Sequence, residues 1–146
     1  MTILSVYGII FDKNRRILLI RHSLGSKSWT IPGDRPGEGE SPIEGLVRII
    51  DDEIHAKIKP IRLLGAYSTT YNDALSLSIE AEVVEPDEWV PGEDVSDIGF
   101  FAAFDLPYPI HYITQVIIQD AFEGRTGVIR VFSHPENTDK TRLTEE

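Results

Sequence analysis

The sequence contains no cysteine and a single methionine among its 146 residues. Without cysteine the chain cannot form disulfide bonds or zinc sites built on thiolates. It also lacks an apolar run long enough to cross a bilayer, and its first residues show no basic region followed by an apolar segment. These absences predict a cytoplasmic protein with no membrane partner.

Basic residues are in the minority, because the chain has 14 Lys and Arg against 24 Asp and Glu, for a net charge of −10. This balance argues against a nucleic-acid partner, which needs phosphate neutralisation by cationic side chains. The first 35 residues nevertheless carry six basic and two acidic side chains. A basic segment beside an acidic one suits an anionic ligand bridged by a cation. Unrelated solvated faces are the alternative explanation.

The length predicts one domain, which we place at residues 1–132, followed by a polar and flexible tail at 133–146. Residues 4–11 and 17–20 are apolar and rich in β-formers, and are predicted to pair as a hairpin. Strands are also predicted at 61–68, 75–84 and 98–101, a helix at 110–122, and a last strand or arm at 128–132. This order predicts an α/β fold, an α/β/α sandwich around a mixed β-sheet.

Residues 33–40 hold three glycines and a proline and are predicted to be irregular. A helix then begins with Ser41 as N-cap, Pro42 in the first position and Glu44 completing a capping box. Its predicted buried stripe follows helical spacing and consists of Ile43, Leu46, Val47, Ile50 and Ile54.

The opposite face of this helix is crowded with charge, since it carries Glu44, Arg48, Asp51, Asp52 and His55, with Glu53 at its edge. Acidic side chains at this density repel each other unless a cation screens them. Carboxylates, water and ligand phosphates are the oxygen donors that Mg²⁺ prefers, and a helix N-terminus favours phosphate. The pattern predicts a divalent cation holding a phosphate-containing ligand, with a solvated charged face as the alternative.

The segment from Trp29 to Glu53 resembles the Nudix box, whose pattern runs Gly, five residues, Glu, seven residues, Arg-Glu-hydrophobic, one residue, Glu-Glu, one residue, Gly-hydrophobic. In that register Glu40, Arg48, Ile50 and Glu53 match, and Asp52 is a conservative acid. Trp29, Pro32-Gly33, Phe100-Phe101 and Asp105-Leu106-Pro107 also fall where Nudix domains have such residues. The resemblance covers nearly the whole chain up to Phe122.

The resemblance implies a Nudix-type sandwich and hydrolysis, dependent on Mg²⁺ or Mn²⁺, of a nucleoside diphosphate linked to another group, of the ADP-sugar or dinucleotide kind. It implies a metal bound by the Gly33 carbonyl, Asp52 and Glu53, aided by Glu93 or Asp94. The implied catalytic residues are Arg48, Glu53 and Glu40, with Arg48 orienting the helix carboxylates. The substrate is expected to contact Arg21, Arg35 and Trp89, the last by stacking on a base. Homodimers are common among similar proteins, so a homodimer is an open alternative.

Five positions depart from the pattern, and two of them, Pro36 and Gly37, replace the hydrophobic-Glu pair common in the loop. Ile49 replaces a glutamate and is placed on the helix surface between Asp52 and Glu53, where it can neither bind a metal nor act as a base. Asp34 and His55 replace glycines, and both residue types can adopt the left-handed backbone conformation.

The departure at position 49 leaves three functions open. One is a slow hydrolase, and the second is a sensor that binds nucleotides without turnover. The third is sugar release as in the GDP-mannose branch of the family, which also has an apolar residue there. In that branch a histidine is thought to act as base, a role open to His22 or His111, although structural histidines are commoner. For Trp29, core packing is favoured over base stacking.

Overall fold

A computed structural model of the chain describes residues 1–85 and 90–135. In chain order its elements are β1 (Ile3–Ile9), β2 (Ile17–His22), β3 (Gly33–Asp34), α1 (Pro42–Ile54), β4 (Lys57–Thr69), β5 (Ala74–Glu85), β6 (Val95–Phe101), α2 (Tyr112–Phe122) and β7 (Val128–Phe132). Neither of these helices has both the length and the apolar character that crossing a bilayer requires. The predicted last strand is confirmed as β7, whereas most of the predicted tail, residues 136–146, lies outside the described ranges.

Five strands form a mixed sheet in the order β3-β1-β5-β4-β7. Strand β1 is antiparallel to β3 and parallel to β5, while β4 is antiparallel to β5 and parallel to β7. Strands β2 and β6 form a separate antiparallel ribbon. The mixed sheet and two helices confirm the predicted α/β class.

Two apolar cores lie on opposite sides of these strands. Val6 of β1 and Leu18 of β2 are buried in the core that α1 covers. Ile9 and Leu19, on the same two strands, are buried in the core that α2 covers. Because side chains alternate along a strand, the sheet and the ribbon each contribute to both cores.

Two predictions about the first third of the chain are wrong. Strands β1 and β2 do not form a hairpin ladder, because they separate after the bridge between Phe11 and Ile17 and enter different sheets. Residues 33–40 are not wholly irregular, because Gly33 and Asp34 pair with β1 as β3. The glycine-rich segment therefore starts as an edge strand, which fixes its position beside α1.

Helix α1 begins as predicted, with both hydrogen bonds of the capping box present. Its buried stripe differs, because Ile43 is 46% exposed in the first turn and Ile49 is only 4% exposed. Ile49 belongs to the core under α1, together with Val95 of β6, so its predicted surface position is wrong. The ribbon causes this difference, because it covers a flank of the helix that a single sheet would leave in solvent.

Helix α2 begins two residues later than predicted, with His111 as its N-cap and no side-chain capping bond. Ile110 is instead buried and forms a bridge to Trp29. This contact holds the segment before α2 against the loop that precedes β3.

Candidate functional site

The C-terminal half of α1 presents Glu53 toward β3. The Gly33 N–H donates to Glu53 Oε1 at 3.0 Å, and the Glu53 side chain is 10% exposed. A Cβ at Gly33 would lie 2.1 Å from the Val6 carbonyl oxygen, so only glycine allows this approach. The contact fixes the carboxylate of Glu53 at the junction of strand and helix.

The environment of Glu53 penalises its negative charge. Burial raises the pKa of Glu53 to about 8, the Gly33 hydrogen bond opposes the shift, and the negative charges of Asp34 and Asp52 add to it. His22 Nε2 lies 3.7 Å from Glu53 Oε2. Ionisation of Glu53 is therefore unfavourable without a counter-ion. A bound cation would stabilise the ionised form.

Arg48 connects the glycine-rich loop to the helix. Its Nε and Nη2 donate to the two carboxylate oxygens of Glu40 at 2.7 and 3.0 Å, and its Nη1 donates to Asp52 Oδ2 at 3.2 Å. Glu40 Oε1 also accepts from the Gly37 N–H at 2.6 Å. The Arg48 hydrogen bonds, and then that of Gly37, lower the pKa of Glu40 to about 2. Glu40 thus holds Arg48 rather than lining the cleft described below.

A later loop is attached to the end of α1 through main-chain atoms. The Gly92 N–H donates to the Glu53 carbonyl at 2.8 Å, and the Ser23 N–H donates to the Asp94 carbonyl at 2.8 Å. A Cβ at Gly92 would lie 2.3 Å from the Asp52 carbonyl oxygen. The loop therefore lies against the helix end and brings Glu93 and Asp94 beside it.

These elements enclose an open cleft of about 660 Å³, hereafter the acidic cleft. Its carboxylates come from three parts of the chain and are Asp34, Asp52, Glu53, Glu93 and Asp94, joined by Arg48, Ile49, His22, His55 and Gly92. Within the described residues, no three Asp, Glu, His or Cys side chains are arranged to hold a metal by themselves. The donors are hard oxygens, which suits Mg²⁺ only if water and ligand phosphates complete its shell.

The structure thus gathers the predicted metal residues Asp52, Glu53, Glu93 and Asp94 around one cleft. Gly33 is not in that lining, but its N–H donates to Glu53. Sequence reasoning did not propose Asp34 as a site residue, treating it only as a glycine substitute. Asp34 has no positive φ, whereas His55 ends α1 with φ +52°. The signal that could have identified Asp34 is its place in the box pattern. It follows Gly33 directly, where the glycine-rich segment before α1 begins.

Ile49 contributes an apolar side chain to the wall of the acidic cleft, although it is mostly packed in the core. The wall has no carboxylate at this point, where the box pattern expects one.

The two predicted substrate arginines, Arg21 and Arg35, are not among the residues that line the acidic cleft. Arg21 forms an ion pair with Asp97 at 2.9 Å and lies over the Trp29 ring, 5.2 Å from its centre. Arg35 is exposed, and its N–H donates to Asp34 Oδ1 at 2.8 Å. Trp89, the third predicted substrate residue, falls outside the residues that the structure describes.

A second cavity, of about 400 Å³, shares His22 and Asp34 with the acidic cleft. Its remaining lining comes from β1, the loop before β3, β3 itself and the start of α2. These residues are Tyr7, Leu24, Ser26, Ser28, Trp29, Thr30, Gly33, His111 and Thr114. Trp29 is half-buried and packs edge-to-face on Phe101 at 5.1 Å, in agreement with the packing role favoured from the sequence.

Comparisons with known proteins agree with this architecture. A family model described as NUDIX domain matches residues 1–119. A nucleoside triphosphate pyrophosphatase/Nudix hydrolase fusion protein of Bifidobacterium longum is 30% identical over 96 residues, which cover 56% of this chain and 20% of that protein. This chain therefore spans about a fifth of the length of that relative.

Solved structures share the fold at low identity. A NUDIX hydrolase from Nitrosomonas europaea superposes with a TM-score of 0.81 at 17% identity, covering 92% of this chain and 81% of its own. A UDP-X diphosphatase gives 0.75 at 22% identity, covering 88% and 67%. An ADP-ribose pyrophosphatase from Streptococcus suis gives 0.73 at 20% identity, covering 90% and 99%. At these identities the similarity establishes the fold.

Proposed function

The chain belongs to the Nudix hydrolase family, and on that premise we propose that it hydrolyses the phosphoanhydride bond of a nucleoside diphosphate linked to a second group, with Mg²⁺ or Mn²⁺ as cofactor. Similarity to proteins named UDP-X diphosphatase and ADP-ribose pyrophosphatase supports this choice of substrate class. The net charge of −10 supports a small molecule rather than a nucleic acid.

One observation carries the proposal: five carboxylates from three separate segments line a single cleft. The groups that would hold the cation are the Gly33 carbonyl, Asp52 and Glu53, aided by Glu93 or Asp94. When bound, a divalent cation would polarise the phosphate and activate water. The water oxygen would form a new P–O bond to one phosphorus as the bridging P–O bond breaks, and the bridging oxygen would leave on the other phosphate. The water protons would be released or taken up by the products, which are a nucleoside monophosphate and the phosphorylated second group.

The chain's own side chains have positioning roles in this scheme. Glu40 fixes the guanidinium of Arg48 through two hydrogen bonds, and Arg48 in turn holds Asp52. The Gly33 N–H orients Glu53. Charge-assisted, two-point contacts of this kind restrict side-chain rotation, so the carboxylates face the cleft before any ligand enters.

The test is to incubate the protein and Mg²⁺ with ADP-linked and UDP-linked compounds and to identify the products. A nucleoside monophosphate and a sugar phosphate would support the proposal, and Glu53→Gln should lower kcat about 100-fold or more. Asp51→Asn is the matched control, because Asp51 lies on the same helix but pairs with Lys57 outside the cleft. Release of free sugar and intact nucleoside diphosphate would contradict the proposal in favour of glycosyl chemistry.

A second candidate function is a sensor that binds the same ligands without turnover. The apolar Ile49 side chain in the cleft wall favours it, because no base or metal ligand stands at this point. Titration calorimetry separates the two functions. Micromolar binding of a nucleoside diphosphate derivative with Mg²⁺, without hydrolysis product under any metal, would support the sensor and exclude the hydrolase. Absence of both binding and turnover would overturn both.

A further inference from the structure

The β2–β6 ribbon contains a β-bulge at the edge of the acidic cleft. Arg21 pairs with Asp97 along the ladder, whereas the next residue, His22, pairs with Val95, so Ser96 is an extra residue in β6. The bulge lies where the ribbon ends and the loop with the later carboxylates of the cleft joins it. A bulge bends its strand and changes which side chains face each side, so this one can set the course of that loop.

The bulge changes which side chains β6 turns toward α1. Ile98 and Phe100 pack against the core that α1 covers, and regular alternation would turn Ser96 toward the same core. Instead Ser96 is exposed, and Val95 is buried there with 5% of its surface exposed. The chain before Val95 is thereby shifted by one residue relative to a regular strand.

Main-chain hydrogen bonds then fix the turn that carries Glu93 and Asp94. The Val95 N–H donates to the Gly92 carbonyl at 3.2 Å, and the Ser23 N–H donates to the Asp94 carbonyl at 2.8 Å. The side chains of Glu93 and Asp94 line the acidic cleft. Their positions therefore depend on where the bulge places Val95.

Three side chains hold the bulge in place. Arg21 Nε and Nη2 lie 3.0 and 2.9 Å from Asp97 Oδ2. The Ser96 hydroxyl is 3.0 Å from the same oxygen and 3.2 Å from the Arg21 carbonyl oxygen, so it donates to either side of the bulge. The hydrogen bonds of Arg21, and then that of Ser96, lower the pKa of Asp97, so the ion pair persists at neutral pH.

This ion pair is too exposed to contribute much to folding. The side chains of Arg21 and Asp97 are 32% and 40% exposed, and solvent screens ion pairs at such sites. Arg62 and Glu80 form a similar pair at 3.0 Å between facing residues of β4 and β5, and neither lines the acidic cleft. The first pair differs from the second in its place beside the bulge and the cleft.

We propose that Arg21, Ser96 and Asp97, hereafter the bulge clamp, are positioning residues that hold Glu93 and Asp94 at the acidic cleft for metal binding. The inference rests on the proposed function and deepens it, because it adds side chains outside the cleft to the groups that present the metal ligands. It also gives Arg21 a role other than the substrate contact expected from the sequence.

The first test measures Mn²⁺ binding without nucleotide, by electron paramagnetic resonance of the free ion. Arg21→Gln and Asp97→Ala should each raise the Kd for Mn²⁺ about 3- to 10-fold, less than the roughly 10- to 100-fold typical of groups that contact a metal ligand directly. Because nucleotide is absent, the effect of Arg21→Gln is not a lost substrate contact. Arg62→Gln and Glu80→Ala are the matched controls and should leave the Kd unchanged. An unchanged Kd in both clamp variants would overturn the inference.

The second test combines Arg21→Gln and Asp97→Ala in one protein. Since both substitutions break the same contact, the double variant should bind Mn²⁺ about as tightly as the weaker single variant. If the two increases in Kd multiply instead, the side chains act separately and the bulge clamp does not exist.

Amide hydrogen exchange, followed by nuclear magnetic resonance without metal, distinguishes positioning from a general loss of stability. In the clamp variants the Ser23 and Val95 amides should exchange faster, because their acceptors lie in the turn, while the Leu18 amide on β2 should keep its natural rate. Faster exchange at all three amides would show that the ion pair supports the whole fold, and the positioning role would be wrong.

The outcomes separate this inference from the proposed function. If the natural protein binds Mn²⁺ and the clamp variants bind it equally well, the inference alone is wrong. If the natural protein binds no Mn²⁺, the metal site of the proposed function fails, and this inference fails with it.

Discussion

Replacing Glu53 by Gln should make the metal-free protein more stable at alkaline pH while removing its response to Mg²⁺. The Glu53 carboxyl is 10% exposed, and burial raises its pKa to about 8 from an ordinary value of 4.5. Between these two values the unfolded chain ionises the group while the folded chain keeps the proton. The folded state then binds more protons, so the free energy of unfolding falls as pH rises through this window.

The magnitude follows from the same two values. They differ by about 3.5, and at roughly 1.36 kcal/mol per pKa unit the full loss is about 5 kcal/mol. Between pH 5.5 and 9, where part of the window is already passed, we expect about 2–4 kcal/mol. Glutamine does not titrate, and its oxygen can still accept the Gly33 N–H. Glu53→Gln should therefore lack this loss and melt roughly 5–15 °C above the natural protein at pH 9.

The assay is urea unfolding at several pH values in the presence of a chelator, for the natural protein, Glu53→Gln and Asp51→Asn. The difference between the first two should widen with pH, whereas Asp51→Asn should follow the natural protein. Parallel curves for the natural protein and Glu53→Gln would refute the reasoning about burial. Added Mg²⁺ should restore stability to the natural protein at pH 8.5 and not to Glu53→Gln. If it does not, the burial argument stands and the metal proposal falls.

Three further substitutions test other contacts. Gly92→Ala should shift the loop that carries Glu93, because its Cβ would lie 2.3 Å from a helix carbonyl; we expect weaker Mg²⁺ binding by calorimetry, and unchanged binding would contradict this. Ile49→Glu should lower the free energy of unfolding by about 1–3 kcal/mol in chelator, since it buries a carboxyl, whereas Ile49→Met should cost under about 1.5 kcal/mol; equal costs in urea would contradict this. Asp120→Ala should cost about 2–4 kcal/mol, because Asp120 is 4% exposed and accepts two hydrogen bonds from Arg130 at 2.8 Å; a loss under 1 kcal/mol in the same assay would show that the pair is not stabilising.

Local signals in the sequence were sufficient for the elements that local chemistry decides. Ser41, Pro42 and Glu44 predicted the start of α1 to the residue, because capping is satisfied within one turn. The resemblance to the Nudix box also put Asp52 and Glu53 at one site, and both side chains line the acidic cleft.

Non-local packing accounts for what the sequence did not reveal. Ile49 is buried because the β2–β6 ribbon lies against the helix flank, and no pattern within the helix encodes that partner. The prediction of a hairpin was wrong for a related reason. Only the bridge between Phe11 and Ile17 joins the two segments, and β2 pairs along its length with β6, which lies far along the chain. Arg21 was expected at the substrate, yet its ion pair with Asp97 depends on that same ribbon.

The β2–β6 ribbon also constrains how the domain can come apart. Leu18 and Leu19 are adjacent along β2 but are buried in different cores. Displacing β2 to open one core therefore also removes a buried side chain from the other. Partial melting would expose both apolar surfaces at once, which leaves little room for a half-folded species. Fluorescence and far-ultraviolet circular dichroism should therefore report one cooperative transition at a common midpoint.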